Sequence, residues 1–323
     1  RVDVPGTLAA LPRRELDALL CRAAQDAGAT LLAPARFASP LCDDNGRVVG
    51  AQVRYADHTL AIHARWVVLA TGAVPTALKA AMMCTRPEPN GMALRGYVHA
   101  PHLTERIRAM EVVWSRALRP GYGWIFPAPG GCFNIGVGVD VTHAHRSGRK
   151  TVAKKAQNLR SLFQSFCTHH GPAAELMRTG ELMGPLKGAP LRCNLAGARW
   201  TRPGLLVTGE AAGSTYAFTG EGIGKALETG LLAASSLLAG HQQQWTDHTL
   251  QRHYEDALRV LKPKFDLYQR ANRVNAIPWL ADLVIWRAQR SERLRRRMSG
   301  VLNETSNPGN LFSLRGFTRL LLE

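Results

Sequence analysis

The first periodic segment of the chain repeats apolar residues at the spacing of an α-helix. Leu16, Leu19, Leu20 and Ala23 fall three or four positions apart, which places them on one side of a helix. Gly28 follows the segment, and glycine is the usual residue just after a helix C-terminus. The pattern therefore predicts an amphipathic helix that ends before Gly28.

The next segment alternates apolar and polar residues, as half-buried strands do. Val48–Tyr55 alternates, and Thr59–Ala64 repeats the alternation after a two-residue turn. A strong turn signal runs from Asp43 to Gly46, and Thr30–Phe37 before it reads as a strand. These segments predict a three-stranded antiparallel meander.

Two continuous apolar runs follow a different pattern, typical of strands that are buried on both faces in a parallel sheet. One run is Trp66–Ala70, followed by Thr71 and Gly72, and the other ends at Gly209, followed by Glu210. Ligands bind beyond the carboxyl ends of such strands, where glycine lets the backbone approach a nucleotide and a carboxylate accepts hydrogen bonds from sugar hydroxyls. An ordinary turn after each strand is the alternative.

A glycine-rich segment soon after Glu210 begins a long helical pattern that runs to about Ala239. Its residues Gly220, Gly222 and Ile223 would present free N–H groups and the positive end of a helix dipole to an electron-rich group. A plain glycine-rich loop is the alternative. The spacing from the preceding strand nevertheless favours a cofactor cradle.

The middle of the chain predicts an antiparallel sheet of four strands, over Gly91–Ala100, Ala109–Ser115, Tyr122–Pro127 and Cys132–Val139. Tyr122, Trp124 and Phe126 alternate along the third strand, so their side chains share one face. That face either lines an apolar substrate cavity or packs within the protein. Helical patterns cover most of the remainder, namely Arg149–His170, Pro172–Thr179, Trp245–Ala271, Pro278–Arg290, Glu292–Leu302 and Leu311–Leu322.

Composition restricts the class of protein. The chain has 323 residues, of which 46% are hydrophobic and 20% charged, so it can bury a core and is not a disordered or fibrous chain. Its formal net charge is +17. Such an excess suits nucleic acid, an anionic membrane or a phosphate-bearing substrate, and it also follows from a GC-rich genome. No nucleic-acid module is visible, and Arg293–Arg297 reads as a solvated helix face or, alternatively, a membrane-surface segment.

Metal and disulfide chemistry are not indicated. The six cysteines include no C-x-x-C pair, so we expect free thiols in a reducing, cytoplasmic compartment. The histidine pairs His143/His145 and His169/His170 lack companion ligands at metal spacing. No apolar run is long enough to span a membrane, although peripheral contact with one remains an interpretation.

Taken in order, the blocks of this chain resemble the geranylgeranyl reductase family of flavoproteins, which share the para-hydroxybenzoate hydroxylase fold. The likeness covers the whole chain and rests on Arg13-x-x-Leu16-Asp17, Val68-Leu69-Ala70-Thr71-Gly72, Gly121-Tyr122-Gly123-Trp124-Ile125-Phe126-Pro127, Asn134-x-Gly136-x-Gly138, Gly209-Glu210-Ala211-Ala212-Gly213 and Gly220-Glu221-Gly222-Ile223.

The resemblance implies a role for each matched residue. Arg13 would lie near the pyrophosphate or ribityl chain of FAD, and Thr71 and Gly72 near its phosphates or adenosine. Glu210 stands where the family has Asp, which binds the ribityl hydroxyls, and Gly209 before it belongs to the same cofactor-binding block. The remaining roles are the flavin pyrimidine edge for Gly220, Gly222 and Ile223, and the lipid pocket for Tyr122, Trp124 and Phe126.

The same resemblance implies the fold: an α/β (α+β) protein with an incomplete FAD-binding Rossmann-like domain at 1–75 and 185–240. An antiparallel-sheet substrate domain at 76–184 and a C-terminal helical region at 241–323 complete it. The family's opening strand, G-x-G-x-x-G turn and helix are absent from this sequence, so we expect a fragment or a truncated product. Ala217 stands where the family has proline.

The implied activity is the transfer of hydride from reduced flavin to a carbon–carbon double bond of an isoprenoid or similar lipid. A flavin monooxygenase or halogenase is the alternative enzyme, although Thr71-Gly72 replaces the Asp-Gly typical of hydroxylases. A non-catalytic lipid-binding remnant is the alternative outside enzymes. Tyr122, His99 and His102 are candidate general acids, and the electron donor, NAD(P)H or ferredoxin, stays open.

Overall fold

The computed structural model of the chain describes residues 2–6, 10–119, 121–140, 158–272 and 278–306. The chain forms two compact units. Unit 1 comprises Arg1–Leu20, Gly91–Ala189 and Leu267–Glu323, and unit 2 comprises Cys21–Asn90 and Pro190–Asp266. Both units are therefore discontinuous in sequence.

Unit 2 contains the predicted meander. Strands β1 (Ala35–Cys42), β2 (Val48–Tyr55) and β3 (His58–His63) pair antiparallel in the order β1-β2-β3. The bounds of β2 agree with the sequence pattern, but β1 begins five residues later than predicted. The shift follows from Pro34, which has no N–H to donate to a ladder, whereas Pro40 within β1 is tolerated because β1 lies at an edge of this sheet.

The second sheet of unit 2 is built from β4 (Val67–Leu69), β11 (Thr201–Arg202) and β12 (Leu205–Val207), in the order β11-β12-β4. β4 and β12 pair parallel, as their apolar runs predicted. The helices of this unit are listed in chain order: α2 (Thr76–Ala80), α5 (Ile223–Gln242) and α6 (Asp247–Ala271), the last of which continues into unit 1.

Apolar side chains of β4 and β12 pack on both faces of this sheet. Leu205 and Val207 pack with Leu69 on one side, and Leu206 packs with Tyr254 of α6 on the other. The expectation that β4 is buried on both faces is wrong at Val68, which is 41% exposed. β4 is an edge strand of the described sheet, so Val68 has a neighbouring strand on one side only.

Unit 1 is organised around a six-stranded antiparallel sheet. Its path is β10-β5-β8-β7-β6, and β9 pairs with β5. The strands are β5 (Gly91–His99), β6 (Glu111–Val113), β7 (Gly121–Ala128), β8 (Cys132–Asp140), β9 (Glu181–Leu182) and β10 (Lys187–Leu191). The hairpin predicted at residues 129–131 joins β7 to β8.

One face of this sheet is covered by α3 (Leu159–His169) and α4 (Gly171–Thr179). Phe163 and Phe166 of α3 are buried in a cluster with Ile125, Phe133 and Ile135 from the strands. This cluster is the hydrophobic core of unit 1, and it fixes which side chains of β5, β7 and β8 face the opposite way.

Three further helices complete the described structure: α1 (Arg13–Asp26), α7 (Pro278–Ala288) and α8 (Glu292–Leu302). α1 forms where the apolar spacing predicted it, yet none of its residues is buried. The predicted helix at Leu311–Leu322 and the first part of the one at Arg149–His170 lie outside the described residues.

Candidate functional site

Two glycine junctions follow the neighbouring parallel strands of unit 2. The carbonyl of Leu69 accepts the N–H of Thr208 at 3.0 Å, so the chain segments leaving β4 and β12 lie side by side. Gly72 and Gly209 have φ values of 71° and 62°, in the left-handed region that favours glycine. The structure thus brings Thr71-Gly72 and Gly209 to the same edge of the sheet.

Two residues that the sequence did not suggest hold the second junction in place. The buried hydroxyl of Thr229 in α5 accepts the N–H of Gly209 at 3.1 Å. The buried hydroxyl of Tyr254 donates to the carbonyl of Val207 at 2.9 Å. Burial raises the pKa of Tyr254 to about 12. Both contacts come from distant parts of the chain, so no local pattern could have revealed them.

Glu210 lies in the turn that follows Gly209. One of its carboxylate oxygens accepts the hydroxyl of Thr215 at 3.1 Å and the backbone N–H of Arg192 at 3.4 Å. A Cβ at Gly222 would lie 2.8 Å from the same Thr215 hydroxyl. Thr215 therefore lies between Glu210 and the N-terminus of α5 and leaves little space for a side chain at position 222.

The loop that enters α5 is held by its own backbone. The Tyr216 N–H donates to the Glu221 carbonyl at 2.8 Å, and the Glu221 carboxylate accepts the N–H of Gly224 at 2.6 Å. The Gly220 N–H, which the sequence predicted to be free, donates to the Tyr216 carbonyl at 2.9 Å. The structure records no acceptor among the described residues for the N–H groups of Gly222 and Ile223. The first N–H groups of a helix have no partner within it.

These two donors fit the electron-rich pyrimidine edge of a flavin, since N–H groups at a helix N-terminus favour developing negative charge. Tyr216 lies in the loop before the helix. It is buried, its ring lies 4.6 Å from that of Phe265, and the ammonium of Lys225 lies 5.2 Å from its ring centre. The residues present in unit 2 therefore fit a flavin.

Arg192, which no sequence pattern indicated, is fully buried beside this junction. Its Nη2 donates to the carbonyls of Arg86 and Gly197 at 2.9 and 2.5 Å. Its Nε and Nη1 have no hydrogen-bond partner among the described residues. Burial lowers the pKa of Arg192, and the nearby Arg86 acts in the same direction.

The aromatic residues predicted to share a face do so in unit 1. Adjacent ring centres of Tyr122, Trp124 and Phe126 lie 5.9 and 6.2 Å apart, and Trp114 extends the row at 6.4 Å from Tyr122. The side chains of Tyr122, Trp124 and Phe126 lie on the sheet face opposite the core cluster, because Ile125 of the same strand points into that core. Trp114 adjoins them through its contact with Tyr122. We call these four residues the aromatic row.

Glycines of β8 form the floor under this row. Gly138 and Gly136 lie directly opposite Tyr122 and Trp124 across β7 and β8. A Cβ at Gly136 would approach the Trp124 ring to 2.3 Å. The indole N–H of Trp124 donates to the Asn134 side chain at 2.9 Å, which fixes the ring orientation. These three β8 residues form the sequence block Asn134-x-Gly136-x-Gly138.

The next strand, β5, brings polar groups to the same face. Arg95 and Tyr97 lie opposite Gly136 and Asn134, and the Arg95 guanidinium lies 4.9 Å from the Tyr97 ring centre. The Tyr97 hydroxyl accepts the backbone N–H of Arg13 at 3.2 Å, while the Arg13 guanidinium pairs with Asp17 at 2.9 Å. Arg13 and the aromatic row thus belong to unit 1, and the glycine junctions belong to unit 2.

The candidate acids differ in their surroundings. His99 is exposed at the end of β5, opposite Cys132. The ring of His102 lies 3.0 Å from the Thr179 hydroxyl. Of the paired histidines, His170 contacts the Glu111 carboxylate at 2.9 Å, and 143 and 145 are outside the described residues.

Within the described ranges, no group of three or more histidine, cysteine or acidic residues is arranged to hold a metal. None of the helices in those ranges has the length and apolar character to cross a bilayer.

No protein-family model matches the chain, but curated proteins do. It is 32% identical over 248 residues to the menaquinone reductase of Mycobacterium tuberculosis, covering 73% of this chain and 57% of that protein. It is 28% identical over 271 residues to the menaquinone reductase of Mycolicibacterium smegmatis, covering 80% and 61%. Identity to digeranylgeranylglycerophospholipid reductase 1 of Methanopyrus kandleri is 27% over 265 residues, covering 79% and 64%. The chain spans about three fifths of the length of these relatives.

Solved structures show the same fold at lower identity. A geranylgeranyl bacteriochlorophyll reductase-like protein from Thermoplasma acidophilum matches with a TM-score of 0.65 and 18% identity, over 100% of this chain and 77% of that one. A flavin-dependent brominase matches with a TM-score of 0.65 and 14% identity, over 97% and 73%.

The fold is therefore that of a group of flavoproteins, and the α/β architecture with an antiparallel sheet and a helical C-terminal region is confirmed. Within that group, the homology to menaquinone and digeranylgeranylglycerophospholipid reductases confirms the resemblance to the geranylgeranyl reductase family.

Proposed function

We propose that this chain is part of a flavin-dependent enzyme that reduces carbon–carbon double bonds in an isoprenoid lipid. The aromatic row on its glycine floor is the observation that carries the proposal. Its rings form a continuous row of aromatic contacts on one face of the sheet, which suits an extended isoprenoid. The relatives are named as reductases of menaquinone and of digeranylgeranylglycerophospholipid, and these names support the same substrate class.

In this proposal unit 2 holds FAD. Thr71, Gly72 and Gly209 let the cofactor approach the backbone, while Gly222 and Ile223 donate N–H groups to the flavin ring. Glu210 accepts hydrogen bonds from the ribityl chain, and its contact with Thr215 at 3.1 Å holds the carboxylate in place. When bound, the reduced flavin supplies a hydride to one carbon of the double bond.

Unit 1 then binds the lipid. Tyr122, Trp124 and Phe126 hold the isoprenoid chain and exclude water from it. The second new carbon–hydrogen bond needs a proton, and Tyr122 is the candidate donor that belongs to the row, whereas His102 contacts Thr179 instead.

The test uses the purified protein supplied with FAD. Bound flavin is measured by its visible absorbance, it is reduced with dithionite, and a menaquinone or a geranylgeranyl glycerophospholipid is added. The proposal expects lipid products with two extra hydrogens for each double bond reduced, detected by mass spectrometry. Trp124→Leu should reduce product formation at least about tenfold, since one ring of the row is lost. Tyr55→Leu, which alters an exposed aromatic residue of β2, is the matched control.

Two results would contradict the proposal. One is a protein that binds FAD but leaves every isoprenoid unchanged. The other is the incorporation of oxygen or halogen into an aromatic compound, which would favour a monooxygenase or halogenase. That alternative rests on the fold shared with the brominase.

A further inference from the structure

The helices α7 and α8 of unit 1 carry a surface that the proposed reaction does not use. Trp279 and Trp286 in α7 are 59% and 47% exposed. They are seven residues apart, which is close to two helical turns, so both indoles lie on the same side of the helix. Exposed tryptophan is uncommon because burying an indole is strongly favourable.

Arginines follow Trp286 along the chain, and two of them lie close to its ring. Six arginines and a single acidic residue, Glu292, occupy positions 287–297. The guanidinium groups of Arg287 and Arg290 lie 5.7 and 4.5 Å from the Trp286 ring centre. Glu292 is paired with Arg296 at 2.6 Å. The segment therefore combines an amphipathic aromatic side chain with a surplus of positive charge.

The one carboxylate between the two tryptophans is also paired. Asp282 lies 3.5 Å from the Arg116 guanidinium and 4.0 Å from that of Arg119. The Arg116 side chain is 83% exposed, so its charge adds to the basic surface. We call Trp279, Trp286, Arg116 and the six arginines at positions 287–297 the Trp–Arg patch.

We propose that the Trp–Arg patch binds the surface of an anionic phospholipid bilayer. Indole rings partition to the headgroup level of a membrane, where their apolar body and polar N–H are both satisfied. Guanidinium groups beside them pair with lipid phosphates, and each basic residue near an anionic surface adds to the affinity. This surface works independently of the aromatic row, although it would bring the enzyme to where its lipid substrate resides.

The exposed indoles favour a membrane over nucleic acid as the partner. A phosphate backbone is bound by basic residues alone, and stacking aromatic residues serve single strands within a groove. Here the tryptophans stand on one side of an 11-residue helix, α7, whose last turn and successor, α8, supply the arginines. That arrangement is typical of an interfacial anchor.

The experiment is co-sedimentation of the purified protein with phosphatidylcholine vesicles that do or do not contain phosphatidylglycerol. We expect binding only to the anionic vesicles, and a decrease as sodium chloride is raised. Arg287→Glu/Arg290→Glu should lower the vesicle partition coefficient at least about tenfold. Arg22→Glu/Arg54→Glu makes the same change in net charge on exposed residues of unit 2 and should have little effect.

A second pair of variants tests the indoles. Trp279→Ser/Trp286→Ser should weaken vesicle binding, whereas Leu231→Ser, which removes the side chain of an exposed leucine in α5, should not. If the serine variants do not fold, the wild type and Trp279→Phe/Trp286→Phe are compared by fluorescence quenching with lipids brominated near the headgroup. Quenching should fall when these two indoles are replaced.

Equal binding to neutral and anionic vesicles would overturn the proposal. So would patch variants that behave like the charge-matched control, or unchanged quenching in the phenylalanine variant. Displacement of bound vesicles by duplex DNA at physiological salt would assign the patch to nucleic acid instead. Loss of isoprenoid reduction with vesicle binding intact would contradict only the proposed function.

Discussion

At the scale of single residues, the glycines of β8 set the depth of the aromatic face. Gly136 leaves room for the Trp124 ring on one side, and a Cβ there would also lie 2.6 Å from the Leu94 carbonyl on the other strand. Neither contact can be relieved by rotating a flexible side chain end. Glycine is thus required here by space rather than by backbone conformation.

Gly136→Ala should destabilise unit 1 by about 2 kcal/mol, because the new methyl group overpacks the sheet. The free energy of unfolding is measured in urea. Gly188→Ala in β10 is the matched control, since its nearest contact would be 3.7 Å away, and it should change stability by less than about 0.5 kcal/mol. Equal effects of the two substitutions would show that the space at position 136 does not require glycine.

The buried hydroxyl of Tyr254 should make the stability of unit 2 fall at alkaline pH. Burial raises the folded-state pKa from 10.0 to about 12, so the unfolded chain loses this proton first as pH rises. The stabilisation is complete below about pH 10 and is lost between about pH 10 and 12, with an upper value of roughly 3 kcal/mol.

Tyr254→Phe should therefore flatten the fall in stability across that pH range, which urea unfolding at several alkaline pH values would show. It should also cost about 1–2 kcal/mol near neutral pH, because the Val207 carbonyl loses a donor. Tyr268→Phe is a comparison in unit 1, where burial likewise raises the pKa of Tyr268 to about 12. An unchanged alkaline slope in both variants would contradict the assignment.

At the scale of elements, alternate residues of strand β7 serve different purposes: one set packs in the core, and the other set forms the proposed lipid-binding face. Gly123 and Ile125 face the core of unit 1, and a Cβ at Gly123 would lie 2.6 Å from the Phe166 ring. The alternate residues Trp124 and Phe126 face away from that core. Substitutions one position apart should therefore have different consequences.

Phe166→Ala should cost about 3–5 kcal/mol of stability, since a fully buried ring leaves a cavity between α3 and the sheet. Phe126→Ala should cost no more than about 1–2 kcal/mol, because its ring is only half-buried. Only the second substitution should weaken lipid binding in a soluble, folded sample. Urea unfolding and lipid retention measure the two effects, and the reverse order would contradict this division of the strand.

Strands and helices with a clear apolar periodicity were predictable from the sequence, whereas the tertiary contacts that bury or expose their residues were not. The alternation of β2 and the parallel pairing of β4 with β12 followed from apolar patterns. The exposure of Val68 did not, because it depends on which strands flank β4. Likewise α1 shows an amphipathic spacing, yet nothing in that spacing reveals that its apolar residues remain exposed.

The site divides in the same way. Tyr122, Trp124 and Phe126 share a face because strand periodicity requires it, and the sequence predicted that. Arg192 and Thr229 act on Gly209 and Glu210 from remote positions. Contacts at such sequence separations depend on tertiary packing, which no local periodicity encodes.

At the scale of the whole molecule, the net charge of +17 implies self-repulsion that salt screens. The thermal midpoint should rise by a few degrees as sodium chloride increases from about 0.01 to 0.2 M. Potassium fluoride at equal ionic strength is the control that separates screening from specific ion binding. A midpoint that falls with both salts would show that attractive charge pairs outweigh the repulsion.

The glycine floor has a consequence for altering the range of molecules that this surface accepts. Because Gly136 and Gly138 have no side chains, removing the ring above either one leaves bare peptide backbone rather than a second layer of residues. Tyr122 and Trp124, which lie opposite these glycines, are therefore the rings whose removal would expose backbone, and Trp124→Ala would open a depression about one indole deep without changing the sheet. Such a depression would favour branched or cyclic lipids that need more room above the sheet than the intact row provides.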